Sequence, residues 1–278
     1  MTCNLKVSII TSTHNAEDYL RKLAGTIREQ SVKPQWIVID ANSNDETISI
    51  IKENLDLIDY WISEKDDGIY DAWNKALRRV TGEWVLFLGA DDFLWDCKTI
   101  EKFSVKLSDV PLNTDVAYGK VMLINEHADN IYIAGKSWEK IKTRFLQVMA
   151  LPHQGVFHRS SLFKQYGEFD ASFKIAGDYE LLLRNLKNHD AFFIDEIVSS
   201  MLQGGISSTP KNAIKVLRES RRAQVKHGLK MPGFIWLAAY IRLIIRTWLW
   251  IIFGEKFTKK LLDFYRKLIG LPSYWNKC

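Results

Sequence analysis

The residues of this chain best suited to chemistry are polar and acidic side chains gathered at the ends of apolar runs. Thr11 to Asn15 follow VSII, Asp40 closes WIVID and Asp45 lies just beyond it in DANSNDET. Asp66 and Asp67 follow YWIS, and Asp91 and Asp92 follow WVLFLG. Adjacent carboxylates repel each other unless something cationic lies between them, and together they repel a bare diphosphate. A divalent cation removes that conflict by bridging Asp oxygens to phosphate oxygens, and Mg²⁺ commonly uses only one or two carboxylates. The alternative for Asp91–Asp92 is a helix N-cap, and Asp66–Asp67 with Gly68 reads equally as an exposed turn. No GxGxxG follows the first apolar run and no GxxxxGK[ST] occurs anywhere, so a dinucleotide fold and a P-loop are both unsupported.

Elements of a recognisable kind must position these residues. VSII (Val7 to Ile10), WIVID (Trp36 to Asp40), YWIS (Tyr60 to Ser63) and WVLFLG (Trp84 to Gly89) read as strands, the last buried on both faces. Between them, Tyr19, Leu20, Leu23 and Ile27 recur at helical spacing, residues 46–54 read as a short helix, and Ile69, Trp73, Leu77 and Val80 repeat the helical period. Strand alternating with helix argues for an α/β fold, a doubly wound and mostly parallel sheet. Ligands of such sheets sit beyond the carboxyl ends of the strands, so the four polar clusters would converge on one crevice. Residues 115–135 read as two strands joined by a polar turn. In IAGDYELLLR a buried helix begins near Tyr179, and Asp178 at its start reads, on the residues alone, as its N-cap.

The chain has 278 residues, 47% of them hydrophobic and 26% charged, which excludes wholesale disorder. Cys3, Cys97 and Cys278 are too scattered for a disulfide framework or a metal cluster, and residues 1–15 lack the features of a secretory signal, so a cytosolic chain is expected. Charge divides it sharply: residues 1–210 carry a net −7 and residues 211–278 a net +12.

The segments VSIITSTHN, WIVIDANSNDET, SEKDDGIYDAWNKALRRVTGEWVLFLGADD and LPHQGVFHRSSLFKQYGEFDASFKIAGDYELLLR resemble, in order and spacing, the family-2 glycosyltransferases, inverting nucleotide-sugar-dependent enzymes of the GT-A fold. The EKDDGIYDAWNKA variant resembles transferases that build bacterial surface polysaccharides. The resemblance implies a catalytic domain over residues 1–205, with a nucleotide-sugar half to about residue 110 and an acceptor half beyond. It implies that Thr11, Asn15, Asp40, Ser43 and Asp45 approach the nucleotide, Asp40 at a base that is usually uracil. Asp66, Gly68 and Asn74 would line the donor pocket. Asp91 would face ribose or sugar, and Asp92 would hold a divalent cation, Mn²⁺ or Mg²⁺. His153, in LPHQG, is either structural or a diphosphate or acceptor contact; His158 reads as structural. Asp178 matches the family's general base, with Glu180 pointing elsewhere. The implied activity moves a sugar, with inversion, from a UDP-sugar to a hydroxyl of a lipid-linked bacterial glycan. A non-catalytic nucleotide-sugar or glycan-binding protein on the same fold is the alternative.

Residues 206–278 form a basic, aromatic-rich tail. Lys211, Lys215, Arg218, Arg222 and Lys226 fall at helical spacing, Pro232 breaks the pattern, and a long apolar stretch follows. Eleven Leu, Ile or Phe residues between Phe234 and Phe253 favour insertion by about 0.3–0.6 kcal/mol each, while central Arg242 and Arg246 oppose it by about 5–7 kcal/mol together. The balance, and the shared face of the two arginines, suit a helix lying on an anionic membrane surface, which implies a peripheral protein on the cytoplasmic face of the inner (plasma) membrane. Residues 255–269 repeat the pattern. The alternatives are packing on the catalytic domain or a homodimer interface. No nucleic-acid partner is indicated, because no nucleic-acid module accompanies the charge.

Overall fold

The computed structural model describes residues 6–125, 127–203 and 210–268. In chain order the first half runs β1 (Val7–Thr13), α1 (Glu17–Arg28), β2 (Gln35–Asp40), α2 (Thr47–Glu53), β3 (Tyr60–Ser63), α3 (Ile69–Leu77), β4 (Trp84–Phe87), β5 (Asp92–Leu94) and α4 (Thr99–Ser108). There follow β6 (Val116–Ile124), β7 (Asn130–Ala134), α5 (Trp138–Phe145), a 3₁₀ turn (His153–Gly155), β8 (Val156–Arg159), α6 (Ser160–Tyr166), α7 (Gly177–Leu186), β9 (Phe192–Leu202), α8 (Pro210–Lys226) and α9 (Phe234–Leu268).

The strands make one mixed sheet in the order β3-β2-β1-β4-β8-β6-β9-β5, with β7 paired to β6. The four strands read from sequence pair in parallel, so their carboxyl ends lie together. Strand β8 joins β4 antiparallel and delivers the His153 turn to that same end. The expected hairpin is β6–β7. Alternation sorts each strand's side chains into two layers. Ile10, Ile37, Ile39, Val85 and Phe87 pack with α3 and α7, while Ile9, Trp36, Val38, Trp84 and Leu86 pack with α1, α2 and α4. All six residues of β2 are buried, as befits a strand covered on both faces.

Strand β1 continues three residues past the predicted Ile10. Its ladder persists as long as β2 offers partners, ending at Thr13 opposite Asp40. Asp92 opens the edge strand β5, paired antiparallel to β9 through Met201, so the helix-cap alternative for it is not realised.

The expected boundary at residue 205 and the aromatics Tyr274 and Trp275 lie outside the described residues. Helix α8, expected as a polar appendage, is built into the body: Ser220, Ala223 and Gln224 are buried, and Ala223 belongs to the same core as α7. Gln224 Nε2 donates to the Gln147 carbonyl at 2.7 Å and to the Tyr179 hydroxyl at 3.1 Å. Periodicity made α8 look basic because its charged residues outnumber the short polar ones that pack inward. Helix α9 docks by its start, where Ile235 N donates to Gln147 Oε1 (2.8 Å) and Trp236 Nε1 to the Leu217 carbonyl (3.3 Å). Gly254, at φ +77°, breaks α9 into two helical segments, a conformation that L side chains rarely adopt.

Candidate active site

Two loops at the carboxyl ends of β1 and β2 are laced by side chains. Asn15 and Asn42 both adopt positive φ (48° and 59°), which Asn tolerates better than other non-glycine residues. Asn15 N donates to Ser43 Oγ at 2.8 Å, and Asn15 Oδ1 accepts from Asn44 N at 3.0 Å. Asp45 accepts from Thr47 N (3.0 Å) and Glu17 N (3.2 Å). Desolvation alone would raise its carboxyl, but the Thr47 and Glu17 donors hold it below the ordinary value. Asp45 thus serves the first turns of both α1 and α2, whose own N-cap residues make no side-chain cap bond.

Asp40 is fully buried. It accepts from Thr13 Oγ1 (2.8 Å), Ser43 N (2.9 Å), Ser43 Oγ (2.5 Å) and Ser63 Oγ (2.6 Å). Four donors occupy the capacity of a carboxylate, so Asp40 fastens the ends of β1, β2 and β3 together. Thr11, expected in the loop, instead lies within β1; it is fully buried and accepts from the Trp36 indole at 3.1 Å, out of reach of a ligand. Thr13 and Ser63 were not singled out, although both sit in the polar clusters that end their strands.

The β4–β5 turn holds the paired acids. Gly89 N donates to Asp92 Oδ2 at 2.8 Å. A Cβ on Gly89 would lie 2.7 Å from Asp91 Oδ1 and 3.1 Å from Asp92 Oδ2, so only glycine lets both carboxylates crowd this turn. Asp92 is 3% exposed, and its Oδ1 is buried without a hydrogen-bond partner. Burial, then the charge of Asp91, pushes the Asp92 carboxyl well above the usual range. An orphaned carboxylate oxygen beside a second carboxylate is the arrangement a hard cation relieves. Among the described residues no group of three or more His, Cys, Asp or Glu gathers to hold a metal alone. A cation here would therefore share its coordination with ligand oxygens, as Mg²⁺ commonly does. The residues present fit such a group.

The third wall is α3 and its entry loop. Gly68, at φ +118°, precedes the helix, and Asp66 Oδ1 accepts from Gly68 N at 3.0 Å, closing an Asx turn. Asn74, expected at the donor pocket, is half-buried and has its amide engaged by the backbone. Its amide donates to the Phe169 carbonyl and accepts from Phe169 N, both at 2.9 Å, clamping the chain ahead of α7. His153 is buried, stacked at 5.3 Å on Trp73 and 5.7 Å on Phe87. Loss of solvent pushes it down to about 3, so the ring is neutral, and its Nε2 has no partner. His158, 5.3 Å away, is fully buried in β8 and kept neutral by the same desolvation.

Asp178 lies in the first turn of α7, not at its cap, which is Ala176. The residue as a whole is half-buried. Desolvation pushes its carboxyl up to about 6, against hydrogen bonds from Tyr179 N and the Tyr70 hydroxyl that favour the charged form. Tyr70 donates to the Ile175 carbonyl at 2.7 Å and reaches Asp178 Oδ1 at 3.3 Å. Its ring fills the space over Gly177, where a Cβ would lie 2.7 Å from it. Tyr70 meets Trp73 edge-on and Trp73 stacks on His153, a chain of rings linking the Asp178 wall to β4, after which Asp91 and Asp92 follow. Glu180 does point elsewhere: fully buried, it pairs with Arg184 (2.5 Å), Lys226 (2.9 Å) and His227 (2.7 Å).

A mixed α/β sheet whose parallel half ends in polar loops, with paired acids after its fourth strand, points to a class of transferase, and comparison with known proteins agrees. The chain belongs to glycosyl transferase family 2, whose profile matches residues 8–164, and it is accordingly a glycosyltransferase of GT-A fold. It is 27% identical over 228 residues to a PGL/p-HBAD biosynthesis glycosyltransferase of Mycobacterium bovis, covering 79% of this chain and 86% of the relative. An uncharacterized glycosyltransferase of Mycobacterium tuberculosis is 28% identical over 187 residues, 66% of this chain and 70% of that one. Among solved structures, S. aureus TarS 1–349 in complex with UDP-GlcNAc superposes with a TM-score of 0.60 at 18% identity, covering 78% of this chain and 66% of that one. This chain thus spans somewhat less than two thirds of that fragment. The mannosyltransferase PcManGT from Pyrobaculum calidifontis, in complex with GDP-Man and Mn²⁺, gives 0.61 at 18% identity, with 87% and 70% covered.

Proposed function

We propose that this enzyme transfers a sugar from a nucleoside-diphosphate donor, UDP-linked by preference, to a hydroxyl of a lipid-linked bacterial glycan, with inversion at the anomeric carbon. The observation that carries the reading is Asp178, a half-buried acid in the first turn of α7 whose carboxyl desolvation pushes up to about 6, a value that suits a base working near neutrality. It takes the acceptor proton as the acceptor oxygen bonds to the anomeric carbon. The bond to the diphosphate oxygen breaks on the opposite face. Asp92 would hold a divalent cation, with Asp91 toward the ribose or sugar, and that cation would supply the charge that stabilises the departing diphosphate. Asp40, Ser43, Asn15 and Asp45 hold the two loops in the shape that receives the nucleotide, with Asp66 and Gly68 completing the rim and His153 beneath it.

The M. bovis relative is named for biosynthesis of PGL/p-HBAD, and the tail of this chain supports an acceptor held at a membrane. On α9, Phe234, Leu237, Ile241, Ile245, Trp248 and Ile252 recur at helical spacing and are exposed by 45–83%, flanked by basic residues. Such a stripe suits the interface of an anionic leaflet, on the cytoplasmic side where the donor is available.

A panel of nucleotide sugars and UDP, screened for thermal stabilisation with Mn²⁺ and with EDTA, tests the donor site, because bound ligand stabilises the fold by mass action. UDP compounds should stabilise the wild type only with Mn²⁺, and Asp92→Ala should abolish the gain. Equal stabilisation in EDTA would refute the metal assignment.

A further inference from the structure

We propose that Glu219, on α8, is the positioning residue of the acceptor-side base: by gathering three successive backbone amides it fixes the turn from which Asp178 projects. The inference rests on the assignment of Asp178 as the base.

Glu219 Oε2 accepts from Lys174 N (3.1 Å), Ile175 N (2.8 Å) and Ala176 N (2.9 Å), and Oε1 also accepts from Lys174 N (3.0 Å). Consecutive amides converging on one anion form a nest. These amides immediately precede α7, whose cap residue Ala176 offers no side-chain acceptor; without Glu219 the turn would lose its partners on that side. Its other sides are held by α3 and the loop before it. Tyr70 donates to the Ile175 carbonyl, and Lys174 Nζ donates to the Asp67 carbonyl at 2.7 Å. The ionisable groups facing Asp178 are therefore Tyr70 from α3 and Glu219 from α8.

Other α8 contacts hold the same segment without touching the amides. Lys226 pairs with Asp170 at 2.7 Å, and the Arg222 guanidinium lies 3.7 Å over the Phe173 ring. These grip the chain ahead of the turn, and Glu219 sets the turn itself. Glu219 is the single acidic residue between residues 197 and 254, an exception within a basic helix that the charge pattern alone did not explain.

Glu219→Gln keeps the size of the side chain but has one acceptor oxygen and no charge. Glu219→Asp keeps the charge on a shorter stem. Three readouts need no acceptor: hydrogen exchange at amides 174–176, titration of the Asp178 carboxyl by ¹³C NMR with Asp178→Asn as the assignment control, and UDP affinity with Mn²⁺. In Glu219→Gln the three amides should lose protection and the Asp178 midpoint should fall below its wild-type value, with UDP affinity unchanged. With the donor found by the panel, nucleotide release should show kcat reduced roughly tenfold or more at unchanged donor KM, the scale of a misplaced catalytic group. Glu219→Asp should recover part of the loss. A merely structural Glu219 would lower the melting temperature and leave kcat in place even though loss of its charge shifts the Asp178 midpoint, and that result overturns the inference. If Asp178→Asn abolishes turnover while Glu219→Gln behaves as wild type, only the role of Glu219 falls. If Asp178→Asn turns over normally, the base assignment itself falls.

Discussion

Asp178 and Asp92 are both carboxyls that burial drives toward the neutral form, but they stand differently toward solvent. Asp178 is a half-buried residue whose carboxyl accepts from Tyr179 N and lies 3.3 Å from the Tyr70 hydroxyl; Asp92 is buried, with one oxygen unpartnered. The pKa of Asp178 rises on folding from 3.8 to about 6. Its stabilising contribution, that of the neutral carboxyl, is fully present below pH 3.8 and lost as pH rises through about 6. At neutral pH the ionised group therefore costs roughly 3 kcal/mol at most. Asp178→Asn should raise the melting temperature at pH 7 and leave it unchanged near pH 3.5, which calorimetric scans at the two pH values would show. The same variant should bind UDP normally and lose transfer by roughly 10²-fold or more. In the wild type, transfer should fall as pH drops below about 6, read from initial rates between pH 5 and 8. Two residues on, Glu180 has the opposite sign. Desolvation would raise its carboxyl, but Arg184, Lys226 and His227 outweigh that and hold it below 4.5. Its stabilisation is present above 4.5 and lost as pH falls through the lowered value. Glu180→Gln should cost about 3 kcal/mol at pH 7, the scale for breaking a buried ion pair, with the loss shrinking in acid. Denaturant melts of both variants would show one carboxyl serving function at the expense of stability and its neighbour serving stability.

At the scale of elements, α8 is the surprise. Composition made it part of a detachable tail, yet Ala223 packs in the body's core, Gln224 reaches Tyr179 and Glu219 gathers the turn before α7. A chain ending at Gln203 should therefore misfold or precipitate, because it uncovers α7 and strands Glu180 without Lys226 and His227. A chain ending at Pro232, which keeps α8 and the Leu229 that packs on the core, should remain soluble and still bind UDP with Mn²⁺. Size-exclusion chromatography and calorimetry on the two truncations check this.

For the whole molecule, apolar exposure concentrates on α9, in a part of the chain that also carries half of the tail's net positive charge. Residues 233–278 hold eight basic and two acidic side chains, and α9 exposes an apolar stripe of which Phe234 is 83% and Ile252 63% accessible. Each basic residue near an anionic leaflet contributes about 1 kcal/mol, and inserted apolar area adds a component that salt does not remove. Full-length protein should sediment with anionic liposomes and be released only in part by high salt, while the chain ending at Pro232 stays in the supernatant. If the full-length protein ignores liposomes and elutes as a dimer that this truncation dissolves, α9 is an oligomerisation element instead.

The sequence by itself determined the sheet's first four strands, the helices between them and the end of the sheet where the polar clusters meet, because period-2 and period-3.6 patterns are local and a parallel sheet needs continuous apolar runs. It also singled out Asp92 and Asp178, since acids at strand and helix ends are visible in one dimension. Only the tertiary structure decided what the other polar residues do. Thr11 is turned into the sheet by one further rung of ladder, Asn74 is spent on the backbone of a residue 95 positions away, and Asp40 is saturated by donors from three strand ends. Tyr70 and Glu219 reach the Asp178 turn from elements 108 and 41 residues removed. A hydrogen bond depends on where two segments meet in space, and the periodicity of each segment carries no record of the other.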